Sequence, residues 1–121
     1  MPNFKYLKTP QPMSDNFDTN WTKKEFKAYV LLYCSQADFE ESNSERGLIV
    51  KKVGKDNYNH IHEELEKDND YTRIQKIMAA ASRLDYDHET LIKDMKEVFF
   101  ADGDFDAVEK GVFLLLKRVL G

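Results

Sequence analysis

Ala101-Asp102-Gly103-Asp104-Phe105-Asp106-Ala107-Val108-Glu109-Lys110-Gly111-Val112 decides how this chain is read, because much of its pattern has already occurred once. Ala37-Asp38 is followed by Glu40, Ser42 and then Glu45-Arg46-Gly47-Leu48. Asp38 and Asp102, Glu45 and Glu109, and Gly47 and Gly111 are each 64 residues apart. A small residue, two acids, a helix-capping residue, a Glu, a base and a Gly recurring at one offset point to two related helix-loop-helix units with acid-lined loops.

The segments around the two motifs carry helical signals. Thr22-Lys23-Lys24-Glu25 has the form of a capping box, and Phe26, Tyr29, Val30 and Tyr33 follow at spacings of three and four, so a first helix is expected from Thr22 to near Gln36. Ser42-Asn43-Ser44-Glu45 starts a second, which runs through Leu48, Ile49 and Val53 and stops at Gly54. Asp56 is expected to cap a third, with Tyr58, Ile61 and Leu65 on one face, ended by the polar cluster Lys67-Asp68-Asn69-Asp70. The fourth shows a stripe of Ile74, Ile77, Met78, Ala81 and Leu84, and its small residues Ala79 to Ala81 admit a close neighbour. The fifth offers Leu91, Ile92, Met95, Val98 and Phe99. The sixth opens on a second box, Asp106-Ala107-Val108-Glu109, and its Val112, Phe113, Leu116, Val119 and Leu120 predict the most buried helix of the set. With no alternating run and no proline after Pro12, the expected fold is all-α, a single bundle of about six helices.

Residues 1–20 read differently. Pro2, Pro10 and Pro12 among polar residues predict an extended or disordered leader, which leaves residues 21–121 as the helical domain. A chain of 121 residues fits one domain with one modest core. A hydrophobic fraction of 41% beside 33% charged residues is that of a soluble globular protein, and no apolar run approaches the ~20 residues of a membrane span. No charged and apolar secretory signal is visible at the N-terminus. The single cysteine, Cys34, lies in an apolar stretch and gives no disulfide framework, so the expected compartment is the cytoplasm. A net charge of −4 with bases interleaved among acids argues against nucleic acid, whose phosphates need clustered Lys and Arg.

The acidic loops resemble calcium loops only superficially. An EF-hand needs Gly at loop position six and a bidentate Glu at position twelve. Counted from Asp102 those positions hold Ala107 and Phe113, and counted from Asp38 they hold Asn43 and Ile49. Glu45 and Glu109 are accounted for as the reaching-back members of capping boxes begun by Ser42 and Asp106. Asp38 and Asp102 sit where helices end, a position the helix dipole does not favour for an acid. If the two units face each other, Asp38, Glu40, Asp102 and Asp104 converge on a site for a hard divalent cation. The bland reading is solvated loop acids. His60 and His62 are two apart on a helix and point to different faces, so a zinc site is not expected there. Trp21, Tyr29 and Tyr33 read as core and rim residues. No nucleophile-base pair and no phosphate-cradling glycine loop is present, which disfavours an enzyme.

The doubled Ala-Asp motif with its Glu-(Arg/Lys)-Gly, and the Ala-Asp-Gly-Asp-Phe-Asp loop feeding a terminal amphipathic helix, resemble the TerB-like family of tellurite-resistance proteins over about Trp21 to Gly121. The resemblance implies a compact helical domain of two acidic halves, associated with tellurite resistance and stress response, that binds metal through its acids. Asp38, Glu45, Asp102 and Glu109 are the positions it points to, and with the neighbouring loop acids the candidate ligand set is Asp38, Glu40, Glu45, Asp102, Asp104, Asp106 and Glu109. Ca, Mg or Mn is the implied ion. The first loop departs from the pattern, with Phe39 where the second has Gly103. The alternative function is a helical interaction module whose acidic face docks a protein partner and binds no metal.

Overall fold

α1 (Lys23–Ser35) is the axis of the molecule, and its sequence explains why. Phe26 and the uninterrupted run Ala28 to Ser35 are all buried, nine of thirteen residues, as expected of a helix that is apolar all round rather than along one stripe. Its start is fixed by the predicted box: Thr22 Oγ1 accepts from the Glu25 amide at 3.2 Å, and Glu25 Oε1 accepts from the Thr22 amide at 2.8 Å. The computed structural model describes residues 17–36, 43–101 and 107–120.

Five further helices pack on this axis: α2 (Asn43–Val53), α3 (Lys55–Lys67), α4 (Asp70–Arg83), α5 (His88–Phe99) and α6 (Ala107–Leu120). The described residues are all-helical with no strand, a compact six-helix bundle. No described helix is long and apolar enough to cross a membrane. Each helix pair flanking an acidic motif is packed together, α1 on α2 and α5 on α6, and α5 also touches both members of the first pair.

The junctions follow from local chemistry, with one departure from expectation. Asp56 does not cap α3. The cap position is Gly54 at φ 90° and ψ 153°, with no side-chain cap bond, and Asp56 falls inside the first turn. That backbone region is open essentially only to glycine, and it lets α2 and α3 join with no intervening loop. Asn69 caps α4 by accepting from the Thr72 amide at 2.8 Å, and Asp87 caps α5 by accepting from the Glu89 amide at 3.1 Å. The Arg73 guanidinium donates twice, at 2.8 and 3.1 Å, to the Leu65 carbonyl at the end of α3.

Two further expectations are corrected. α6 is not the most buried helix: it buries Glu109, Phe113, Leu116 and Leu120 and leaves Leu114 and Leu115 exposed, whereas α1 holds the central place. Met78 is 45% exposed, because α4 meets its neighbours through Ile77 and Ala80, and the next residue along the helix turns away by about 100°. Of the leader expected over residues 1–20, residues 17–20 are described and 1–16 lie outside the described residues. Phe17 meets Tyr71 edge-on at 5.9 Å, and Trp21 is buried against Tyr29 at 4.5 Å. Trp21 also donates to Glu64 at 3.2 Å, while its carbonyl accepts from Arg83 at 3.0 Å. Trp21, Tyr29 and Tyr33 are buried, as their reading as core and rim residues requires.

Candidate functional site

Five of the seven candidate acids, Asp38, Glu40, Asp102, Asp104 and Asp106, lie outside the described residues, as does the capping position Ser42. The other two, Glu45 and Glu109, are placed, and they are buried. Glu45 is 1% exposed in the first turn of α2, and Glu109 is 2% exposed in the first turn of α6. For comparison, Glu25, the acid of the complete capping box on α1, keeps 19% of its side chain exposed. Burying a carboxylate is costly unless polar partners replace water, and a first helical turn supplies part of that compensation through the positive end of the helix dipole.

Both carboxylates bear on the same thiol. Cys34 is fully buried near the end of α1. Burial, followed by the charges of Glu45 and Glu109, pushes that thiol well above its usual range. It therefore stays neutral, a poor nucleophile and no thiolate ligand. The equivalent positions of the two sequence motifs are thus brought into the surroundings of one residue at the end of the central helix. Carboxylate oxygens so placed suit a hard cation rather than a soft one. Among the described residues, no group of three or more His, Cys, Asp and Glu is placed to hold a metal ion, so a complete ligand set would need acids from the loops.

The burial of both glutamates has a sequence signature. Glu45 shares a face with Ile49 and Val53 at spacings of four, and Glu109 shares one with Phe113, Leu116 and Leu120. Each acid is the third residue of its helix, and the apolar stripe accounts for its burial; the capping boxes expected to begin at Ser42 and Asp106 lie outside the described residues.

Sequence reasoning missed two other charged centres. Asp94 is 5% exposed on α5 and is paired with Lys27 of α1 at 2.7 Å and with Lys52 of α2 at 2.8 Å; Lys52 also pairs with Glu97. Its signal was present, since Asp94 lies three residues after Leu91 and four before Val98, on the apolar face. On the opposite flank Lys76 pairs with Glu64 at 3.0 Å and Asp68 at 2.7 Å, and the buried Tyr29 hydroxyl donates to Asp68 at 2.7 Å. Nothing in the sequence marked that long-range convergence.

His60 is an exposed residue 3.5 Å from Glu25, and His62 stacks obliquely on Tyr58 at 5.6 Å. The two do not face a common centre, as their spacing predicts.

Comparison with family models, with curated proteins and with solved structures gives no match for this chain.

Proposed function

We propose that this chain is a non-catalytic, TerB-like domain of stress or tellurite resistance that binds a divalent cation at the end of α1, with ligands drawn from both acidic motifs. Glu45 and Glu109 are the inner carboxylates of that site, and Asp38, Glu40, Asp102, Asp104 and Asp106 complete it from the loops. The observation that carries the reading is the burial of the two glutamates at equivalent motif positions, together with the influence of both on Cys34. The apolar stripe sets that burial, and a carboxylate so shielded from water binds a hard cation more strongly.

Calorimetric titration of the full chain with Ca, Mg and Mn tests it. Saturable binding at millimolar or lower concentration, lost in Asp102→Ala and weakened at least tenfold in Glu45→Gln and in Glu109→Gln, is the expected result. No binding heat with any of the three ions removes the metal reading and leaves the helical interaction module with an acidic docking face.

A further inference from the structure

A groove of about 480 Å³ runs between α5 and α6, and no described residue of the acidic motifs lines it. It is lined by His88, Glu89, Ile92, Lys93 and Lys96 of α5 and by Lys117 and Leu120 of α6. The volume lies within the range of small-molecule pockets, about 300 to 1,000 Å³. Ile92 and Leu120 are the apolar members of this lining, a floor that the methylene stems of the three exposed lysines can extend while their ammoniums reach water.

The charge at this rim is unusual for the molecule. Net charge over the whole chain is −4, yet three lysines and a histidine line the groove against one acid, Glu89. Lys27, Lys52 and Lys76 are all committed to carboxylates elsewhere. Among the described residues, Lys93, Lys96 and Lys117 make no ion pair. Lys96 and Lys117 instead approach the ring of Phe113, at 5.9 and 5.4 Å from its centroid, one from each helix. That shared ring gathers two ammoniums at one end of the groove. His88 and Glu89 lie two turns away at the start of α5, so the apolar floor has a cationic end and a mixed one.

We infer that this groove is a binding site for a small anionic amphiphile, an acyl chain bearing a terminal carboxylate, with the carboxylate between Lys96 and Lys117 and the chain laid over Ile92 and Leu120 toward His88. Charge complementarity selects the headgroup, and the apolar floor selects the tail. The distance from Lys96 back to His88 is about 12 Å along the helix axis, which suits a chain of medium length.

The test is titration of the ¹⁵N-labelled full chain with decanoate below its micelle concentration, with decanol and decyltrimethylammonium as comparison ligands. Saturable shifts centred on Ile92, Lys93, Lys96, Lys117 and Leu120 are expected for decanoate. The Lys96→Glu, Lys117→Glu double variant should bind at least about tenfold more weakly with its helical circular dichroism unchanged, since both side chains are exposed. Ile92→Trp, which fills the floor, should weaken binding as well. Equal binding of decanol or of the cationic amphiphile overturns the proposal. So does undiminished decanoate binding by a folded double variant, or saturable shifts centred elsewhere, or no saturable shift at all. If the double variant does not fold, the comparison of the three ligands on the unmodified chain decides alone. None of these outcomes bears on divalent cations.

Discussion

The Lys27 ammonium lies 2.7 Å from the carboxylate of Asp94, tying the central helix to α5 through a buried acid. Lys52 reaches the same carboxylate from α2, so three helices meet at one anion. Burial pushes the Asp94 carboxyl up, but the contacts and charges of Lys27 and Lys52 outweigh burial and hold it below the usual aspartate range. Removing the acid leaves two half-buried ammoniums without their shared partner. Asp94→Ala should therefore cost about 3 kcal/mol, seen as a fall of roughly 10 °C in Tm. A triple replacement by apolar residues, Lys27→Met, Lys52→Met and Asp94→Leu, should recover most of that loss.

The same residue sets part of the acid limb of stability. A carboxyl with a depressed folded pKa contributes stability that is present above its unfolded value of about 3.9 and is lost as pH falls through the folded value. Urea midpoints measured from pH 6 down to pH 2 should fall for the parent chain in that acid window. They should fall less steeply for Asp94→Asn, which starts lower and has no such group to protonate.

At the alkaline end the tyrosines of α1 take over. Burial first, then the hydrogen bond to Asp68, pushes Tyr29 far above its ordinary value, and burial with the bond to Asp70 does the same for Tyr33. Raised folded values mean stability that is present below the unfolded value of about 10 and lost as pH rises above it. Stability should decline between about pH 10 and pH 12, and the Tyr29→Phe, Tyr33→Phe double variant should show a flatter decline in the same denaturant series. At neutral pH Tyr29→Phe should cost about 1 to 2 kcal/mol for the lost bond to a charged acceptor.

Much of the fold could be read along the chain, and the errors have physical causes. The Thr22 box and the stripe of Tyr58, Ile61 and Leu65 appear as expected, because a cap and a one-sided stripe are local features. α1 and not α6 is the most buried helix because the apolar run from Ala28 to Cys34 leaves it no polar face. Its continuity marks a helix enclosed on all sides. Leu114 and Leu115 have the opposite lesson: apolar residues on a peripheral helix need not all face inward. Of the candidate site, the burial of Glu45 and Glu109 was legible in their register with Ile49 and Phe113, whereas the meeting of Lys27, Lys52 and Asp94 depends on how three helices pack.

Gly54 joins α2 to α3 at φ 90°, and a Cβ there would meet nothing within 4 Å. The cost of Gly54→Ala is thus one of backbone conformation and not of crowding. A loss of about 1 to 3 kcal/mol is expected from the extrapolated urea denaturation curve. Gly47→Ala also meets empty space, but it lies inside a helix, so that variant should be stabilised by roughly 0.5 to 1 kcal/mol.

Cys34 should be silent to thiol reagents in the folded chain. It is fully buried, and burial together with Glu45 and Glu109 disfavours its thiolate. Reaction with a disulfide reagent at pH 8 should be at least about a hundredfold slower than for free glutathione, and should reach the free-thiol rate in denaturing urea. Glu45→Gln and Glu109→Gln each remove one of the charges that raise the thiol pKa, yet neither exposes the sulfur. Native reactivity in those variants should remain slow, which separates burial from charge as the dominant protection.

The buried glutamates also make the proposed cation testable through stability. In metal-free buffer two carboxylates are held out of water, so Glu45→Gln and Glu109→Gln should be neutral or stabilising where the amide keeps the carboxylate's hydrogen bonds. A cation that binds only the folded chain reverses that order. At a hundredfold excess over Kd it adds about 2.7 kcal/mol to the parent and, with affinity cut at least tenfold, about 1.4 kcal/mol or less to each variant. Thermal unfolding with chelator and with Ca, Mg or Mn reads both arms. A parent Tm that rises with one ion while the variants lag is expected; equal Tm values with and without every ion would mean that the two acids belong to the helix starts and core alone.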